Sequence, residues 1–297
     1  MPVRHVALAV LIAAIWGFNF VVIKVGVTGV PPILLATLRF LFAAIPLVFF
    51  VARPPRAQWL WIGLYGLTLG TIKYSLVFSG MKLGMAAGVT SIVMQSQAFF
   101  TIIFAAFLLR DTPNPRQIFG GTIAMGGLAL IGVSRWTGAE FMPFLLVLSG
   151  AVAWAVANII SKKAGKVDAL SFIVWSSLVA TGPLFVVSML IEGPGTIQAA
   201  FEKMSLLSLG AILFLAYPST IVGFGLWSWL LVRYPASTVA PFSLLVPVFG
   251  IASAAICLGE TIDQWEAFGG VLILAGLAVT VFGHRIASAR LATASSD

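Results

Sequence analysis

The sequence predicts an all-α membrane protein, with ten transmembrane helices forming two five-helix inverted-topology repeats around a central cavity. Three observations carry this reading. First, 60% of the 297 residues are hydrophobic and 9% charged, against about 25% charged in a soluble domain, so the chain lacks the polar surface that water demands. Second, apolar runs of about twenty residues, enough to span a hydrocarbon core of roughly 30 Å, follow one another through short connections. Third, the same unusual polar residues recur once in each half.

Cutting the chain at its charges and its Gly/Pro turns places α1 at 6–27, α2 at 31–52, α3 at 58–79, α4 at 86–109 and α5 at 114–135. In the second half α6 falls at 142–163, α7 at 170–190, α8 at 205–229, α9 at 236–257 and α10 at 264–284. Arg4 precedes the first run, but that run exceeds the core of a signal peptide, about 7–15 residues, and shows no clear cleavage site; it is read as α1. Runs such as "LRFLFAAIPLVFFV" are apolar all round, whereas a barrel strand alternates. The longest connection, "EGPGTIQAAFEKM" before Ser205, leaves no room for a soluble domain. The single cysteine, Cys257, falls in α9 and allows no intrachain disulfide.

Charge orients the bundle. Arg4, Arg53, Arg56, Arg110, Arg116, Lys162, Lys163, Lys166, Arg233, Arg285 and Arg290 share the side of the N-terminus, eleven cations against four (Lys24, Lys82, Arg135, Lys203) on the other. Cations in short loops stay cytoplasmic, so both termini are expected inside a plasma (inner) membrane. The net charge of +8 reflects this bias, and without a folded soluble domain to display a basic patch no nucleic-acid partner is expected.

The repeat decides the architecture. Asn19, Lys24 and Gly26 align with Asn158, Lys163 and Gly165, "FGGTIAMGGLALIG" from Phe119 aligns with "FGGVLILAGLAVTVFG" from Phe268, and Pro46 of α2 falls opposite Pro183 of α7. The expected repeats are residues 1–137 and 138–297. Five helices is an odd number, so the second copy enters the membrane in the opposite sense. Inverted repeats characterise secondary transporters, whose substrate site lies near the midplane between the halves.

Within this frame "WGFNFVVIK", "ATLRFLFAA" around Arg39 and "CLGETIDQWEAFGGVLILAG" resemble the signatures of the drug/metabolite transporter superfamily, in its ten-helix EamA-type branch. The resemblance covers nearly the whole chain. It implies a ten-helix carrier with a central cavity, in a branch whose members export amino acids, nucleosides and drugs. One departure is that Arg110-Asp111 stands where the second half has Gly259-Glu260.

Candidate site residues are the polar groups that the membrane interface does not explain. Seven of nine tryptophans lie near predicted helix ends, as interfacial tryptophans do; Trp16 and Trp154 lie mid-helix in α1 and α6 and share a face with Asn19 and Asn158 by i,i+3 and i,i+4 spacing. These asparagines serve either helix packing or a cavity wall. In α4, Gln97 lies on a stripe with Thr90, Met94 and Thr101, with Gln95 and Ser91 beside it; an unpaired amide facing lipid costs several kcal/mol, so both glutamines face protein or water. Arg39 reads as a snorkelling or internally paired scaffold cation. Lys73 falls opposite Gly223, with no cation in the second half, and a substrate touches a pseudo-symmetric cavity asymmetrically. Lys73 and Tyr74 are therefore the expected contacts of an anionic group, with Pro218 and Gly223 kinking α8 to expose backbone carbonyls.

All nine acids and both histidines lie in loops, at helix ends or in the tails, so the intramembrane proton relay common in coupled carriers is missing. Either Lys73 exchanges the proton or transport is uncoupled. Lipophilic cations would want a membrane-embedded carboxylate, whereas a small zwitterion suits Lys73, amides, carbonyls and aromatic plates. The expected function is export of small zwitterionic metabolites, foremost amino acids with apolar or aromatic side chains. A nucleoside, phosphorylated metabolite or drug is the alternative. No His-Glu-x-x-His, intramembrane Asp pair, phosphate-binding loop or Gly-x-Ser-x-Gly elbow marks an enzyme, and neither cofactor nor metal is expected. Membrane lipids and a small-molecule substrate are the expected partners, and small residues in α5 and α10, which more often pack within a bundle, favour a monomer.

Overall fold

The computed structural model describes residues 1–136, 140–165 and 168–294, helical with no strand among them. The junction expected at 137/138, Lys166 and Asp297 lie outside the described residues, as do the side chains of His284, Arg285 and Arg290.

Ten spans follow one another: α1 Val3–Gly29, α2 Pro32–Ala44, α3 at 59–82, α4 Ala87–Leu109, α5 Pro115–Ser134, α6 Phe141–Ala164, α7 Ala169–Ile191, α8 Leu206–Arg233, α9 at 236–258 and α10 Gln264–Ala294. Nine stretches among the described residues are long and apolar enough to cross a membrane. The remaining span, α3, is diluted by Lys73, Lys82 and four glycines. Two expectations need correction. The connection before Ser205 holds a short helix, Pro194–Glu202. And α2 stops at Ala44 instead of 52, because Pro46 has no N–H with which to extend the ladder; the chain continues as a 3-10 turn, Leu47–Phe49. Pro183, its sequence counterpart, lies inside α7.

Helix contacts come in pairs that exchange when the halves exchange. Contacts α1–α9 and α6–α4 correspond, as do α1–α8 and α6–α3, and α3–α7 and α8–α2, while α2–α7 and α5–α10 map onto themselves. The helix breaks are paired as well. Both α3 and α8 carry a π segment, Gly66–Lys73 and Leu215–Val222, and both α4 and α9 carry a 3-10 turn, Met94–Ser96 and Ala240–Leu244. In α8 the segment contains Pro218, which lacks a ladder donor; in α3 it forms without a proline.

The glycine stripes pack within the chain. A Cβ on Gly269 would lie 2.7 Å from the Gly127 carbonyl oxygen, and one on Gly120 2.5 Å from that of Gly276, so α5 and α10 cross backbone to backbone. Gly17 seats α1 on α9 in the same way, 2.7 Å from Gly250 N. Close approach of this kind substitutes dispersion for the hydrophobic drive that lipid does not provide.

The two faces of the bundle are closed by different chemistry. On the face opposite the N-terminus, charged side chains clamp backbone groups. Glu192 accepts from Ile33 N (2.7 Å) and Leu34 N (3.0 Å) at the start of α2, and Glu260 from Ala87 N (2.9 Å) and Gly88 N (3.0 Å) at the start of α4, each carboxylate satisfying orphan donors at the positive end of a helix. Lys24 donates to the Met81 and Met85 carbonyls (both 2.9 Å), Lys82 to that of Val27 (2.6 Å), and Arg135 pairs with Glu266.

The N-terminal face has weaker ties. Lys162 and Asp111 pair at 2.5 Å with both side chains more than half exposed; such pairs are worth about 1 kcal/mol at most. Ser171 and Trp175 donate to the Ala52 carbonyl, at 3.0 and 3.1 Å. The departure at Arg110-Asp111 thus has a structural meaning. Arg110 and Gly259 are both left-handed C-caps, φ 56° and 64°, but only Glu260 goes on to cap another helix.

Gly127→Leu overpacks the α5–α10 crossing and should lower thermal stability in detergent by about 1–3 kcal/mol, while Gly126→Ala, whose Cβ meets nothing within 4 Å, leaves it unchanged. Equal unfolding midpoints for the two would contradict the crossing. Glu260→Gln should lose about 1 kcal/mol and Asp111→Asn clearly less, measured in the same way.

Candidate substrate-binding cavity

A cavity of ≈ 330 Å³ lies between the halves, walled by α1, α2, α3, α4, α6, α8, α9 and α10. All eight residues singled out as substrate contacts line it: Trp16, Asn19, Lys73, Tyr74, Gln95, Gln97, Trp154 and Asn158. The volume falls in the range of small-molecule sites, about 300–1,000 Å³.

The cationic wall comes from α2 and α3. Lys73 is buried at the end of the π segment, its Nζ 3.6 Å from the Tyr74 ring centroid and 4.5 Å from that of Trp154. Arg39 is 1% exposed, so it does not snorkel. Its guanidinium stacks 4.3 Å from the Tyr74 centroid, and Nε and Nη2 donate to Thr220 Oγ1 at 3.1 and 2.9 Å. Nη1 is buried without a hydrogen-bond partner. Two cations therefore share a cavity whose lining contains no acid. Their neighbours are aromatic faces, which attract cations without neutralising them.

The π segment of α8 organises the rest. Thr220 Oγ1 donates to Leu215 O (2.8 Å), a five-residue step that only a widened turn permits, and so presents its oxygen to Arg39. Ser219 takes two cavity residues, its carbonyl accepting from Trp16 Nε1 at 3.1 Å and its hydroxyl donating to Asn19 Oδ1 at 2.7 Å. Pro218 and Gly223 lie outside the lining. A Cβ on Gly223 would fall 2.6 Å from Trp16 Nε1, so Gly223 makes room for the indole.

On the opposite wall Asn158 Nδ2 donates to Gln97 Oε1 (2.7 Å) and Thr101 Oγ1 (3.0 Å), and Gln95 Nε2 to the Ser243 carbonyl (3.3 Å). Met94, Gln95, Gln97 and Ala98, in and after the 3-10 turn of α4, share one wall, as the i, i+3, i+4 spacing of a helix allows.

Sequence reasoning missed Ser219, Tyr65, Phe224 and Ser243 on the wall, and Thr220 behind it, which holds Arg39. "YPSTIVGFG" drew attention to its proline and glycines, while its hydroxyls looked like ordinary helix residues bonding their own backbone. Trp227 requires correction: expected at the interface, it lines the cavity with its ring centroid 5.2 Å from that of Trp16. Among the described residues no cluster of His, Cys, Asp and Glu could hold a metal.

Known proteins resemble the chain over nearly its whole length. A "Probable amino-acid metabolite efflux pump" of Salmonella typhimurium is 42% identical over 285 residues, covering 94% of this chain and 95% of its own length. One of the same description from Escherichia coli K12 is 40% identical over 284 residues, with coverages of 94% and 95%. A solved crystal structure, 18% identical, superposes with a TM-score of 0.60 over 94% of this chain and 99% of its own, and shares the fold. Residues 4–133 and 141–282 each match one family, a five-helix unit twice over, and the chain belongs to the EamA-like transporter family.

Proposed function

We propose that the protein is an alternating-access exporter of small zwitterionic metabolites, foremost amino acids with apolar or aromatic side chains. The observation that carries this reading is the cavity itself, with Lys73 and Arg39 on one wall, amides on the other, Trp16 and Trp154 between them, and no acid. The carboxylate goes to Lys73 and the unpartnered Nη1 of Arg39, and the apolar side chain packs on the indoles. The two relatives described as probable amino-acid metabolite efflux pumps support the substrate class.

The asymmetry between the faces supports a direction of opening. The half of α4 toward the clamped face, Ala87–Ser96, is buried throughout, whereas between Gln97 and Leu109 only Phe99 is buried. The weaker ties and the lesser burial favour opening toward the N-terminal face, which the excess of cations assigns to the cytoplasm, and a plasma (inner) membrane is the expected location. Cytoplasmic substrate enters when the weak ties at Lys162–Asp111 and Ala52 part, and leaves when the clamps of Glu192, Glu260 and Lys24 release. With no Asp, Glu or His on the described lining to relay protons, either Lys73 exchanges the proton or transport is uncoupled, and we propose the latter. The α5 and α10 glycine stripes are engaged within the chain, which supports a monomer.

A second reading is favoured by one observation, the presence of two cations on the same wall, which suits a phosphorylated metabolite. Counterflow with amino acids and with nucleotides in proteoliposomes separates the two.

In proteoliposomes, radiolabelled phenylalanine or leucine should equilibrate without accumulating against a gradient, with or without a pH difference; proton-driven accumulation would refute uncoupled transport, and no flux for any amino acid would sink the substrate class. Lys73→Ala should weaken binding about 10- to 100-fold, the equivalent of a charge-assisted hydrogen bond of roughly 1.5–3 kcal/mol, at unchanged helix content.

A further inference from the structure

The amides of the cavity are not free to present either end. Thr101 Oγ1 donates its single proton to Gln97 O at 2.7 Å, so toward Asn158, 3.0 Å away, it can only accept. The Asn158 atom facing it is therefore Nδ2, whose second proton goes to Gln97 Oε1. A primary amide has two donor protons, and both are used. Asn158 Oδ1 is left facing the cavity, bonded to no described residue.

Gln95 is fixed in the same sense. A carbonyl only accepts, so the atom toward Ser243 O is Nε2, and Oε1 is the spare end. Asn19 Oδ1 accepts from Ser219 Oγ, which leaves Nδ2 as a donor on the same lining as Lys73 and Arg39.

Resting on the zwitterion reading above, we propose that the cavity is dipolar, with the α4/α6 wall reading the substrate's ammonium group through Asn158 Oδ1 and Gln95 Oε1, and with Thr101 as the positioning residue that holds the Asn158 amide in that sense. The donor pole consists of Lys73, Arg39 and Asn19. Trp154 lies between the poles, its ring meeting Lys73 Nζ and its position four residues before Asn158 on α6. One turn, about 6 Å of helix rise, separates the poles along α6, a spacing that suits opposite charges on neighbouring atoms of one small molecule. Gln97 is committed to bracing Asn158, its Oε1 accepting from Asn158 Nδ2.

This arrangement separates a zwitterion from its fragments. A carboxylate without an amine leaves Asn158 Oδ1 and Gln95 Oε1 unpaired, and sites built to bond a polar group discriminate strongly against analogues that lack it. An amine without a carboxylate meets Lys73 and Arg39 unneutralised.

The test is calorimetric binding of L-phenylalanine, 3-phenylpropionate and 2-phenylethylamine to the full chain in detergent. The wild type should bind phenylalanine at least about tenfold tighter than phenylpropionate, and phenylethylamine least. Asn158→Ala and the near-isosteric Thr101→Val should reduce the phenylalanine-to-phenylpropionate ratio to about one at unchanged phenylpropionate affinity. Asn158→Asp, which keeps an acceptor, should retain the ratio. A role for Thr101 in packing alone would shift the thermal midpoint and leave the ratio intact. Equal binding of phenylalanine and phenylpropionate to the wild type, or an unchanged ratio in both Asn158→Ala and Thr101→Val, overturns the acceptor pole and leaves the exporter reading standing. Failure of all three probes to bind the wild type overturns both.

Discussion

Every backbone polar group inside a bilayer must be satisfied by the protein itself, because hydrocarbon offers no partner. The rest of this structure depends on that constraint. It makes each span a helix, and it turns each place where a helix departs from α geometry into a place where a side chain or a neighbouring helix must supply what the ladder lost. The π segment of α8 shows the consequence: Pro218 lacks a donor, the turn is wide, and Thr220 and Ser219 reach Leu215, Arg39, Asn19 and Trp16. A break in the backbone has become the organiser of the cavity wall.

The same constraint explains the asymmetry of a symmetric framework. Exchange of the halves maps the most extensive helix contacts onto helix contacts, since those rest on small residues and apolar shape, which both copies share. The ties at the two faces do not map. Glu192, Glu260 and Lys24 bind backbone at one face, whereas the other has an exposed ion pair and neutral bonds to Ala52. A carrier that alternates between two related conformations needs its two closures to differ in strength if one conformation is to be preferred, and a few charged residues are enough to provide the difference.

How much of the site was legible follows from how conspicuous each residue is against an apolar background. Asn, Gln, Lys and mid-helix Trp stand out, and Trp16, Asn19, Lys73, Gln95, Gln97, Trp154 and Asn158 meet in one cavity. Serine and threonine do not stand out, because a hydroxyl can bond its own helix backbone; Ser219, Thr220 and Ser243 were invisible for that reason. Trp227 was misread because closeness to a helix end does not say which way an indole points. For Arg39 the sequence left snorkelling and internal pairing open, because a long stem can reach an interface, and only the surrounding Phe40, Tyr74 and Thr220 show that it is held at depth.

By itself, the sequence determined the class of the protein, the number of its spans, their inverted repetition and the residue types that face one another across the middle. Hydropathy and spacing are sums over local composition, and the bilayer reads them without reference to the fold. Only the tertiary structure decided where α2 ends, which helices break, which face is clamped and which end of each amide is spare. Those outcomes hang on single hydrogen bonds between residues far apart in the chain, such as Ser219 with Asn19, 200 positions apart, and Thr101 with Asn158, 57 apart, and no local pattern encodes the partner that another helix brings.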